Sequence, residues 1–83
     1  MKKNGITFDE LRDLLLELGL SETPERNRLR FAHPTTGTIL LFRVYGAKEL
    51  VSDRDMLVVQ RQLVDNGLIE PSALDRFLAK ASA

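Results

Sequence analysis

The stretch RLRFAHPTTGTILLFRVY, residues 28–45, constrains the fold more than any other part of the chain. Polar and apolar residues alternate through Arg28, Leu29, Arg30 and Phe31, the period of a strand with one buried face. TILLFRVY is dense in β-branched and aromatic residues, which suit a pleated surface. HPTTG between them supplies a turn, because Pro34 fixes φ and Gly37 permits a positive φ. A β-hairpin is therefore predicted.

Helices flank it. Thr7 and Glu10 form a capping-box pattern, with Ile6 and Leu11 spaced as a hydrophobic staple. Phe8, Leu11, Leu15 and Leu18 then recur at helical spacing, and Gly19 offers a stop, which predicts a helix over residues 8–18. A short edge strand is expected near Leu20, and another over residues 48–51 after the break at Gly46. A second helix starts at Ser52, with Asp53 and Asp55 in its first turn, where carboxylates favour the helix dipole. Met56, Val59 and Leu63 make its inner stripe, and Gly67 closes it with Leu68 packing back. EPSALDRFLAK reads as a last short helix with Pro71 in its first turn and Leu74, Phe77 and Leu78 on its apolar face. The order is α, then two or three strands, then α and α. It predicts an α+β sandwich: helices on one face of a small antiparallel sheet, with the other face open.

Alternation sorts the hairpin side chains. Leu29 and Phe31 belong with Leu40, Phe42 and Val44 on the helix side. Arg28 and Arg30 belong with Ile39, Leu41, Arg43 and Tyr45 on the open side. A four-residue loop over 34–37 pairs Phe31 with Leu40 and Leu29 with Phe42. Arg30 then faces Leu41, and Arg28 faces Arg43, a juxtaposition of like charges. Exposed aliphatic residues beside arginines resemble an interface, so Ile39, Leu41 and Tyr45 are its expected members.

At 83 residues the chain has length for one domain over 1–83. Such a domain buries only ~60% of the surface its unfolded chain exposes. With no cysteine there is no disulfide framework and no thiolate metal site, as suits a reducing cytoplasm. No apolar run approaches the ~18 residues of a membrane span. The first ten residues carry two lysines without an apolar stretch, so no leader is expected there. Formal net charge is zero, yet residues 26–48 hold five bases (Arg26, Arg28, Arg30, Arg43 and Lys48) and no acid. The other seven bases and all twelve acids lie outside that segment. A local positive face of this kind attracts phosphate or an acidic partner even on a neutral chain.

Catalytic and cofactor signatures are missing: no glycine-rich phosphate loop, no nucleophile elbow, no paired metal ligands. Asp53 and Asp55 read as capping residues, so neither metal nor cofactor is expected. Histidine is the side chain whose ordinary pKa suits acid–base work near neutrality. The one histidine, His33, precedes the turn proline and shares parity with Leu29 and Phe31, which makes it a turn anchor.

LRFAHPTTGTILLF followed by KELVSDRDMLVVQRQLVDNGL resembles the HicA-type toxins of bacterial type II toxin–antitoxin modules. The resemblance spans about residues 8–70 and rests on order, spacing, Gly19, Phe31, His33-Pro34, Gly37 and Gly67. It implies a double-stranded-RNA-binding-domain-like α-β-β-β-α fold with an added C-terminal helix, messenger-RNA cleavage, and a HicB-like antitoxin as partner. The family's strand carries Gly-Ser-His ahead of its Phe-x-His-Pro. Matched on Phe31 and His33-Pro34, the glycine and serine positions fall on Arg26 and Asn27, and the catalytic histidine falls on Arg28. RNA transesterification needs a base for the 2′-hydroxyl and an acid for the leaving oxygen. Arginine, protonated up to pH ~12 and beyond, binds phosphate but does neither.

Three readings stay open. The chain is a HicA-like relative that engages RNA with cleavage weak or lost, its arginines and Lys48 holding phosphate. Or it is a non-catalytic module whose open sheet face takes a protein partner or a second copy. Or it is an unrelated small α+β domain. RNA binding is salt-sensitive and depends on the arginines, whereas a protein interface depends on Ile39 and Leu41.

Overall fold

The computed structural model describes residues 5–81. The expectation of no leader concerns in part residues 1–4, which lie outside the described residues. The order is α1 (Phe8–Glu17), β1 (Ser21–Pro24), β2 (Arg28–Ala32), β3 (Ile39–Arg43), α2 (Asp53–Asp65) and α3 (Pro71–Ala81). The strands form one antiparallel sheet in the order β1-β2-β3. The fold is thus α+β, with one helix before the sheet and two after it.

The hairpin register is the one parity and loop length predict. Arg28 faces Arg43, Leu29 faces Phe42, Arg30 faces Leu41 and Phe31 faces Leu40. Phe31, Leu40 and Phe42 are buried in a core shared with Leu11 and Leu15 of α1, Met56, Val59 and Leu63 of α2, and Leu74 of α3. The edge strand expected near Leu20 forms one residue later, with Glu22 opposite Phe31. Glu22 therefore points to the helix side, where Arg12 of α1 donates to it at 2.6 Å.

The starts of α1 and α2 are satisfied by identifiable groups. The first turn of a helix leaves backbone N–H groups without intrahelical partners. In α1 the N–H of Phe8 donates to the carbonyl of Glu49 (2.8 Å) and that of Asp9 to the carbonyl of Ala47 (2.9 Å). The N–H of Glu10 donates to Thr7 Oγ1, and Thr7 N–H donates to Glu10 Oε1, completing the capping box. Ser52 caps α2 by accepting from Asp55 N–H. Gly67, at φ +72°, closes α2 as expected.

The structure corrects two expectations. Residues 48–51 are not a strand. They make one isolated bridge, Leu50 with Thr7, in which Phe8 N–H donates to Glu49 O and Val51 N–H donates to Ile6 O. The pairing goes no further because the opposite segment becomes helix α1 at Phe8. The face assignment also inverts beyond Arg43: Val44 is 58% exposed, whereas Tyr45 is only 6% exposed. Parity holds only while a ladder holds the strand flat. Arg43 pairs with Arg28, the first residue of β2, and beyond it the partner chain has entered the β1–β2 turn. Freed from pairing, the chain rotates Tyr45 inward. Its ring stacks on Phe8 at 5.3 Å, and its hydroxyl donates to Asp55 Oδ2 in the first turn of α2. Tyr45 is a core residue, not a member of an exposed interface.

Leu40 is buried and Leu41 is 49% exposed. Leu40→Asp is expected to unfold the domain, since an unpaired buried carboxylate costs several kcal/mol. Leu41→Asp is expected to leave a cooperative thermal transition near that of the wild type. Tyr45→Phe keeps the stack but loses the hydroxyl bonds, and denaturant titration should register a loss of about 1–2 kcal/mol.

Candidate nucleic-acid interface

The open face of the sheet is built by alternate residues of three strands. Thr23, Arg30 and Leu41 form its central row, by the pairing of β1 with β2 and of β2 with β3. Ser21, Ala32 and Ile39 form the row at one end, and Arg28 with Arg43 the row at the other. Ile39 and Leu41 are half-exposed aliphatic residues in this surface.

The bases gather at the Arg28–Arg43 end. Arg26 stands exposed on the two-residue tip of the β1–β2 turn, which closes through Glu25 N–H to Arg28 O at 2.9 Å. Lys48 stands exposed on the turn over residues 46–49, which closes through Glu49 N–H to Gly46 O. That turn lies against Arg43, because Arg43 Nη2 donates to Glu49 Oε2. Strand pairing, not sequence proximity, thus brings Arg26, Arg28, Arg43 and Lys48 to one end, with Arg30 one row in.

The opposed pair Arg28 and Arg43 does not stand as two bare charges. Arg28 Nε donates to Glu25 at 2.7 Å, and Arg43 bonds Glu49. The acid-free segment ends at these two glutamates, and both fold back onto it. Arg43 also lies 3.9 Å over the Tyr45 ring. The hydrogen bond from Arg43, followed by the N–H of Gly46, holds the Glu49 carboxyl below the ordinary carboxylate range. The same bond raises the Arg43 guanidinium. Exposed pairs of this kind add little stability, but each reduces the field its arginine presents to a ligand. Among the described residues, Arg26, Arg30 and Lys48 make no ion pair.

His33 sits at the opposite end, after the last residue of β2. Its Nδ1 accepts from Thr36 N–H at 3.3 Å, its backbone N–H donates to Thr38 O, and its carbonyl accepts from Gly37 N–H. Its ring lies against Gly19, where an added Cβ would come within 3.4 Å of Nε2. Gly19 has φ +95°, and it is the backbone conformation that favours glycine there. The histidine joins the β2–β3 turn to the end of α1. Five strand steps separate it from Arg28, roughly 17 Å at the rise of an extended chain. One imidazole cannot serve a phosphate held at the far end of the strand.

Among the described residues, no three His, Asp or Glu side chains gather closely enough to hold a metal ion. Asp53 and Asp55 belong to the start of α2, and Asp55 accepts the Tyr45 hydroxyl. No described helix is long and apolar enough to cross a membrane. Compared with known proteins, the chain matches no family model, no curated protein and no solved structure.

What sequence reasoning missed here are Glu25 and Glu49, the counter-ions of the two facing arginines. Their signal is position: each lies just beyond a base-rich segment and within reach of a turn. Because the folded-state pKa of Glu49 is depressed, the stabilisation linked to it is present above the ordinary carboxylate pKa. It is lost as pH falls through the folded value. An NMR titration of the Glu49 carboxyl should show a midpoint below that of an exposed glutamate, and Arg43→Gln should move it up. An unchanged midpoint would mean the ion pair does not persist in solution.

Proposed function

We propose that this protein is a HicA-like relative that binds RNA through the open face of its sheet and does not cleave it efficiently. The observation that carries the reading is the identity and setting of Arg28. It occupies the position matched to the family's catalytic histidine, it is exposed, and it faces Arg43 across the strand. The one imidazole is tied into a turn at the other end of β2. Such a face offers guanidinium and ammonium donors to phosphate. It offers no imidazole to take the 2′-hydroxyl proton or to protonate the leaving oxygen. Glu49, held below the ordinary carboxylate range by Arg43, is a weaker base than a free carboxylate.

A second reading has its own observation. Arg28 and Arg43 already have glutamate partners, and on the same face Leu41 stands exposed in the next row and Ile39 at the far end. That combination favours a protein partner, of which a HicB-like antitoxin is one kind, over a phosphate backbone.

Fluorescence anisotropy with a labelled single-stranded RNA separates the two. On the RNA reading, affinity falls steeply with salt. Arg28→Ala and Arg30→Ala each weaken binding, and His33→Ala does so only as far as it destabilises the fold. Incubated RNA stays intact with the wild type, and Arg28→His gives weak cleavage at most. Binding that ignores salt and arginine replacement but is lost with Leu41→Asp would favour the protein-partner reading. Robust wild-type cleavage that survives Arg28→Ala and vanishes with His33→Ala would sink both.

A further inference from the structure

The two edges of this sheet are unequal. Which backbone groups face outward follows from the bonds at the turns. Glu25 N–H donates to Arg28 O, and His33 N–H donates to Thr38 O, each at 2.9 Å. In an antiparallel ladder, hydrogen-bonded and non-hydrogen-bonded partners alternate from such a pair. Ser21 and Thr23 therefore bond β2, while Glu22 and Pro24 turn their backbone groups outward. On β3, Leu40 and Phe42 bond β2, while Ile39, Leu41 and Arg43 turn outward. Pro24 has no N–H, so the β1 edge is blunted in the way natural edge strands are. The β3 edge presents N–H and C=O from Ile39, Leu41 and Arg43 in a row, without proline, and among the described residues no strand lies beyond it.

We infer that β3 pairs antiparallel with β3 of a second copy of this chain, about a two-fold axis through Leu41, to form a continuous six-stranded sheet. The inference is independent of what the open face binds. The occupant follows from self-complementarity: a row of outward groups at 39, 41 and 43 is symmetric about Leu41 and matches itself under a two-fold. Charge and shape select the register. With Leu41 facing its own copy, Ile39 of each chain faces Arg43 of the other, and the two arginines are not opposed. A slip of two residues either way leaves one of the outward groups without a strand partner. A further slip toward the C-terminal end sets arginine against arginine, which is unfavourable. Arg43 enters the contact already bound to Glu49, so no unpaired charge is desolvated. Leu41, at 49% exposure, gains an aliphatic neighbour across the axis. Leu57 and Val58 on α2 are also exposed, but they stand on a helix whose backbone bonds are internal.

Sedimentation velocity on the purified chain, from micromolar to millimolar concentration, reads the association directly. Amide exchange followed by NMR over the same range reads its location. The expected result is a monomer–dimer equilibrium in which the amides of Ile39, Leu41 and Arg43 gain protection with concentration and that of Glu22 does not. Leu41→Pro removes one outward N–H without touching the ladder to β2. Ile39→Lys adds a charge to the edge. Each should move the transition to at least roughly tenfold higher concentration with unchanged far-ultraviolet circular dichroism. A wild type that stays monomeric throughout overturns the inference. So does a dimer whose amides at 39, 41 and 43 exchange as fast as in the monomer. Should Leu41→Pro fail to fold, Ile39→Lys and the amide profile decide.

Discussion

The ring of Phe8 is the point on which the two halves of this fold are joined. It meets Phe31 and Phe42 edge-on at 6.3 and 5.9 Å and stacks on Tyr45 at 5.3 Å. Phe8 is also the first residue of α1, so one side chain fixes where the helix begins relative to β2 and β3. Aromatic pairs add some stability beyond the area they bury, but here their geometry matters more. Tyr45 carries the connection onward, because its hydroxyl holds Asp55 and accepts the N–H of Ser52 at the start of α2. Both helices therefore start where β3 ends. Residues 46–51 run between these anchors, and their carbonyls have a ready use as acceptors for the first N–H groups of α1.

This arrangement gives the sheet two unlike ends. At one, the helix starts, the β1–β2 turn and the residues after β3 converge, together with Arg26, Arg28, Arg43 and Lys48. At the other, the His33 turn packs on Gly19 and closes the end of α1. A strand is a stiff spacer, so no local adjustment brings His33 to the arginines. The chemistry of the open face is that of its own residues: cations, two of them matched by glutamates, and two aliphatic side chains. An RNA reading and a protein-partner reading draw on the same rows but weight them differently, and the glutamate pairs decide the weighting. A ligand that displaces Glu25 and Glu49 gains two guanidinium groups and must outcompete two carboxylates already in place.

How much of this was legible depended on whether a rule's physical condition was met. The register of the hairpin was readable because alternation and a four-residue loop fix both strands at once, and the ladder lasts from Ala32 back to Arg28. The same alternation failed at Val44 and Tyr45, since the partner strand had ended. Gly46 was the available sign that the ladder stops there, and a lone tyrosine needs an environment for both ring and hydroxyl. Residues 48–51 read as a strand, but the segment they pair with becomes α1 at Phe8, so the pairing stops at the single bridge of Leu50 with Thr7. Of the candidate site, the arginines on the open face were readable from parity. Their neutralisation was not, because counting charge by segment excluded Glu25 and Glu49 by one residue at each boundary.

Face and edge also obey separate constraints. Side chains leave a strand perpendicular to the sheet, whereas its unpaired N–H and C=O groups lie in the sheet plane. A partner on the face and a strand on the edge therefore do not compete for the same atoms. In a sheet joined at β3, the Arg28–Arg43 row of one copy would continue into the Ala32–Ile39 row of the other. Each basic end would then abut an apolar end, and Leu41 would sit at the centre of a surface twice as wide. A ligand spanning such a surface would meet charge at two separated places with aliphatic ground between them. That spacing is a property of the edge register, so the recognition offered by the face is set partly by how the edge is paired.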